Sequence, residues 1–244
     1  MFRVEQAQML ASLVVLTLAT IQDINEREVD DVVWIVGLLV GVSLDICLFL
    51  KVRPPLESIV QYVRFLIPFL IIIIGSWRLK LMGEADILAF ITLAILQPVH
   101  PYRKGMFPPA FCTLLYSNVL ILLVPLYFLA WNLALMLKGE NIFDGFEEST
   151  LRKFLASLLA IPIRAEKADK FKFFSVAQNG TSPRKKFKLI SALSIPETKE
   201  ELPKTEEPLV WICPSIPMIP FILAGYLMTL WLGDPILLLI QLIS

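Results

Sequence analysis

The sequence predicts an all-α integral membrane protein of about six transmembrane helices with one cytoplasmic insertion. Two observations of composition and one of pattern predict it. Of the 244 residues, 57% are hydrophobic and only 18% charged, where a soluble domain carries roughly a quarter charged residues. Mean hydropathy is +0.71. The apolar residues fall into long runs, and only one sizeable polar stretch, 138–208, separates them.

A spanning helix needs roughly 17–25 mainly apolar residues. The first run, Gln6–Gln22, meets this at the short end and stops at Asp23. No cleavage site of the A-x-A type follows it, so it reads as a permanent helix. Val32–Leu50 is the second span, with Asp45 inside it, and Ile59–Trp77 is the third, with Arg64 near its start. The fourth run is short: between Asp86 and His100 only Ile87–Val99 are uncharged. Such a helix either starts inside the membrane with Asp86 buried or is re-entrant, and both arrangements imply a cavity or protein packing there. Phe111–Leu137 is the fifth span and Leu209–Leu232 the sixth. The apolar tail after Gly233-Asp234-Pro235 is too short to span and prolongs the last helix or lies at the interface.

Within the polar stretch, Leu151, Phe154, Leu155, Leu158 and Leu159 follow helical spacing, with Arg152 and Lys153 off that face. This pattern predicts a short helix on the membrane surface. From Arg164 to Lys188 basic residues prevail: Lys167, Lys170, Lys172, Arg184, Lys185 and Lys186 lie between them, against Glu166 and Asp169. That run fits either contact with anionic membrane lipid or a solvated linker. The organisation expected is one membrane domain: residues 1–137 with five helices, 138–208 as a cytoplasmic loop, and 209–244 as the last helix and tail.

An even number of spans puts both termini on one side. Basic residues in the short loops are nearly balanced between the two sides. The long loop, with Lys138, Arg152 and Lys153 near the fifth helix, decides for termini outside. Asp23 and Asp86 then lie at the cytoplasmic ends of their helices in a cell membrane.

Lys plus Arg equals Asp plus Glu, 22 each, so the charge balance points to no nucleic acid partner. The three cysteines, Cys47, Cys112 and Cys213, stand apart inside apolar stretches and read as small buried apolar residues. The single histidine, His100, excludes HExxH zinc chemistry and a histidine ligand set.

Ionisable groups inside spans are costly and are candidates for function. Asp23, Asp45 and Asp86 stand out. Asp86 at a helix N-terminus sits where a carboxylate is favoured, whereas Asp23 closes a helix where the dipole disfavours it. Asp45 reads as a polar contact between helices. Residue by residue, each also admits a purely structural role.

Three local sequences add to this. Asp23-Ile24-Asn25-Glu26-Arg27-Glu28-Val29 resembles the D-x-x-x-R-x-V segment after the first helix of archaeal preflagellin and prepilin peptidases. Met82-Gly83-Glu84-Ala85-Asp86 resembles the GxGD motif of the same aspartic proteases, with Ala85 in place of the second glycine. Pro214, Pro217 and Pro220 resemble their proline-punctuated last helix. The resemblance implies a membrane-embedded aspartic endopeptidase with Asp23 and Asp86 as catalytic residues and Gly83, Ala85 and Arg27 in support. It implies cleavage of short basic leaders, at the cytoplasmic face and before a hydrophobic helix, from preflagellins (archaellins) or type IV prepilin-like precursors. It implies no metal or organic cofactor. The N-terminal CxxC region that bacterial relatives link to methyl transfer has no counterpart, so no methyltransferase activity is expected.

Two carboxyls sharing a proton supply the base and the acid that amide hydrolysis needs. Gly83 is expected to allow a sharp turn or a close approach of substrate. Glu84, Glu26, Glu28, Asp30 and Asp31 cluster at the same end and are either leader-binding acids or a solvated loop. The three prolines either open the last helix to an extended substrate or only kink it. The alternative class is a small ion or proton-coupled transporter using Asp23, Asp45 and Asp86, for which internal repeats would argue; none is seen.

Overall fold

The structure is a computed structural model that describes residues 4–53, 56–79, 82–100, 107–164, 173–180, 185–188 and 209–243. Its residues divide into two compact units, Met1–Ile121 with Pro217–Ser244, and Leu122–Ile216.

The first unit is helical. It contains α1 (Val4–Glu26), α2 (Asp31–Val52), α3 (Leu56–Arg78), α4 (Glu84–Leu96) and α5 (Pro109–Ile121). After the second unit the chain returns as α8 (Ile219–Leu232) and α9 (Pro235–Ile243). Asp30 starts α2 by accepting the Val32 amide on Oδ1 at 3.0 Å, the usual role of a short acceptor side chain at a helix N-terminus. Gly233, at φ 84°, ends α8 in a conformation that suits glycine. Asp234 then caps α9 by accepting the Ile236 amide at 2.9 Å.

Small residues set how closely these helices pack. A Cβ on Gly225 of α8 would meet the Ser117 amide nitrogen of α5 at 2.8 Å. One on Gly41 of α2 would meet the Leu96 nitrogen of α4 at 3.1 Å. Around these contacts lies a core of Leu16, Trp34, Phe69, Phe90, Leu93 and Tyr226. Polar groups join helices as well: Gln8 donates to Asp45 Oδ1 at 2.7 Å, Tyr62 donates to the Ala94 carbonyl at 2.8 Å, and Tyr226 donates to Gln97 Oε1.

Among the described residues, the second unit joins α6 (Leu123–Leu137) and α7 (Thr150–Leu159) to five short strands. They are β1 (Ile161–Ile163), β2 (Phe174–Val176), β3 (Gln178–Asn179), β4 (Lys186–Phe187) and β5 (Val210–Pro214). β5 is the central strand, antiparallel to both β1 and β2, and β3 pairs with β4. Trp211 anchors the unit. It is 1% exposed, stacks on Phe143 at 5.5 Å and donates from its ring nitrogen to the Ile142 carbonyl at 2.9 Å.

By length and apolarity, Val4–Glu26, Asp31–Lys51 and Pro109–Leu137 qualify as membrane spans among the described residues. The pair α8–α9 qualifies as a fourth although bent by 52°. The chain is thus a mainly helical membrane protein, but it is not purely α. The expected sixth helix is shorter than the run Leu209–Leu232, because Val210–Pro214 is a strand and the helix starts only at Ile219. Prolines at 214 and 217 lack the amides that a helix through this segment would need. The expected fifth helix is divided at Leu122. The periodic run at 151–159 is the helix α7, and the residues after it are not a bare linker, since β1, β2 and Trp211 pack there. Lys167, Lys170, Lys172 and Arg184 of the basic run lie outside the described residues. Cys112 is buried, whereas Cys47 is exposed on an apolar helix.

Candidate active site

Asp23 lies in the last turn of α1 and is 8% exposed. Its Oδ2 accepts the backbone N–H of Ile219, the first residue of α8, at 3.1 Å. The first amides of a helix have no partner within it, and its N-terminal dipole favours a negative charge. α8 thus supplies what the C-terminal end of α1 denies this carboxylate. Arg27 follows in the left-handed conformation at φ 62°. Its amide closes the helix on the Asp23 carbonyl at 3.2 Å, and its guanidinium charge acts on the Asp23 carboxylate.

Asp86 is in the first turn of α4. Its Oδ2 accepts the Gly83 amide at 3.1 Å, a side chain reaching back to the residue that starts its own helix. Gly83 has φ −72° and ψ 161°, which any residue adopts, so the turn does not demand glycine. The demand is for space: a Cβ there would sit 3.3 Å from Asp86 Oδ2. Ala85 is half-buried and packs against the core of the unit. Asp23 and Asp86 lie 63 residues apart in sequence, yet in the fold they are near enough for the charge of Asp23 to act on Asp86. Each is anchored through Oδ2, and Oδ1 of each has no hydrogen-bond partner among the described residues.

The other expected residues are placed as follows. Glu26, Glu28, Asp30, Asp31 and Glu84 are exposed. Asp30 is a helix cap that also donates its amide to Gln22 Oε1 at 3.1 Å. Pro214 ends β5, Pro217 precedes α8, and Pro220 is the second residue of α8, a position that tolerates proline because its amide has no helical partner. Asp45 is bound to Gln8, which matches the polar contact expected of it. Ile219 was not foreseen. The sequence signal for it is Pro217-x-x-Pro220, which marks a helix start whose first amides need an acceptor.

A helical membrane unit with two carboxylates gathered at helix ends defines a class. The chain matches the type IV leader peptidase family over residues 10–126, which carry Asp23, Gly83 and Asp86. More particularly, it is 24% identical to the preflagellin peptidase of Methanococcus voltae, over 91% of this chain and 93% of that protein. It is 22% identical to the preflagellin peptidase of Methanocaldococcus jannaschii, over 91% and 92%. Both relatives are named as peptidases, and the transporter alternative finds no support in them.

Proposed function

We propose that the chain is an aspartic endopeptidase that removes basic leader peptides from preflagellin-like precursors, with Asp23 and Asp86 as its catalytic pair. One observation supports the reading: two carboxyls on separate helices are each held by a backbone amide through Oδ2, near enough for the charge of one to act on the other. One carboxylate takes a proton from water as the water oxygen bonds to the scissile carbonyl carbon. The other carboxyl gives its proton to the leaving nitrogen as the C–N bond breaks, and the pair returns to sharing one proton. Backbone anchoring supports this because amides of helix ends move only with the helix, so the reacting oxygens are held without a mobile intermediary.

Arg27 positions Asp23 in this scheme, and Gly83 leaves room beside Asp86. α3, α4 and α8–α9 join the clear spans to give about six membrane helices. α4 has 13 residues, about 20 Å at 1.5 Å per residue, short of a bilayer core of roughly 30 Å. That shortness supports a site recessed from one face, which we assign to the cytoplasmic side of the cell membrane with both termini outside. The exposed acids Glu26, Glu28, Asp30, Asp31 and Glu84 provide attraction for a basic leader.

The test is leader removal from a preflagellin by membranes carrying Asp23→Asn or Asp86→Asn. Loss of a catalytic acid or base costs about 100-fold or more, so each variant loses processing while inserting normally. Wild-type processing by either variant overturns the assignment.

A further inference from the structure

We infer that α7 seats the second unit in the membrane interface, with lipid covering its outer face. Leu151, Phe154 and Leu155 are 67%, 49% and 38% exposed. Ala156 and Ser157 of the same helix are buried, and Ala160 just after it is buried as well. At about 100° per residue, the stripe of Leu151, Phe154, Leu155 and Leu158 points about 180° away from the face of Ala156, Ser157 and Ala160. The helix therefore packs through small residues and turns its bulky apolar stripe outward. This is the reverse of a helix that serves a soluble core.

The occupant follows from what α7 is tied to. Asn132 of α6 donates to the Ser157 and Ala160 carbonyls, both at 2.9 Å. Asn132 lies five residues before the end of α6 at Leu137, about 7.5 Å along the axis. α6 belongs to the candidate span Pro109–Leu137 and exposes Leu126, Leu133, Met136 and Leu137. The C-terminal end of α7 is thus fixed near the end of a candidate span whose own apolar side chains are exposed, which makes lipid the occupant that suits its outward apolar stripe. The polar groups suit an interface: Arg152 is half-exposed and paired with Glu148 at 2.9 Å, and Lys153 lies over the Phe143 ring at 5.7 Å. This goes beyond the catalytic reading and is tested without it.

The experiment places spin labels at Leu151→Cys, Phe154→Cys and Leu155→Cys, one at a time, in the full chain in phosphatidylcholine–phosphatidylglycerol vesicles. Cys47→Ala removes the exposed native thiol. Cys112 is buried, and burial pushes the Cys213 thiol up to about 11, so both label slowly. Collision with oxygen, which concentrates in lipid, is compared with collision with a water-soluble nickel complex, and Glu147→Cys serves as the exposed reference. The expected result is oxygen access several-fold above nickel access at the three stripe positions and the reverse at residue 147. Nickel access at the stripe overturns the inference, and so does shielding from both probes, which would place a protein such as a second copy of this chain there. Should the labelled chains fail to fold, Phe154→Trp in the otherwise native chain reads the same depth. Its added fluorescence is quenched by brominated lipid if α7 is seated and unchanged if it is not.

Discussion

Two polar regions of the helical unit hold a carboxylate among apolar helices, and they hold it differently. At one end, Asp23 and Asp86 are each bound by a backbone amide at a helix start, Ile219 and Gly83. Elsewhere, Asp45 is bound by the side chain of Gln8, which is fully buried and whose own Oε1 has no hydrogen-bond partner among the described residues. The first arrangement ties each carboxylate to the helix frame through Oδ2, which suits the catalytic pair proposed above. The second joins α1 to α2, as interhelical polar pairs do. The proposed assignment thus rests on the nature of the anchor and on a second carboxyl nearby, and not on a charged residue inside a span alone.

This contrast is sharpened first at Gly83. Gly83→Ala puts a methyl group 3.3 Å from Asp86 Oδ2, so the carboxylate shifts by a few tenths of an ångström. Positioning errors of that order cost catalysis more than stability. Leader removal should fall about tenfold, a loss equivalent to about 1.4 kcal/mol, with thermal stability of the purified protein changed little. Unchanged kinetics would mean that Asp86 does not need its observed position.

A smaller effect is expected from the exposed acids. Solvent-exposed ion pairs are worth roughly 0–1 kcal/mol each, so Glu84→Gln with Asp30→Asn should weaken processing of a basic-leader precursor by no more than several-fold. The difference from wild type should shrink with added salt and with a leader whose lysines are neutralised. A large, salt-insensitive loss would instead indicate a desolvated contact.

The smallest catalytic effect belongs to the Gln8–Asp45 pair. Asp45→Asn keeps a side-chain oxygen for the Gln8 amide and should retain most processing. Gln8→Ala leaves Asp45 without that donor and should lower unfolding stability by about 1–3 kcal/mol, read as a shift in thermal or denaturant unfolding in detergent. If Asp45→Asn removed processing, the distinction between the two regions would collapse.

The helical frame was legible because apolar run length reports directly on membrane spans, and the spacing of Leu151, Phe154, Leu155 and Leu158 gave α7. The strands were not. β1 and β2 are three residues each, too short for alternation to show. From Val210–Pro214 an apolar run continues towards the α8 helix with only Ser215 polar, and periodicity alone does not separate buried strand from buried helix. Only Pro214 and Pro217 marked the change. Of the candidate site, Asp23, Gly83 and Asp86 were visible through local motifs. The Ile219 amide, 196 positions from Asp23, was not, because a backbone donor leaves no side-chain signature.

The most direct measurement compares the two regions in one assay: initial rates of leader removal from a preflagellin by Asp86→Asn and Asp45→Asn in matched membranes at equal protein levels. The account predicts that Asp45→Asn stays near wild type while Asp86→Asn falls by about 100-fold or more. Equal rates for the two variants, whether both high or both low, would contradict it.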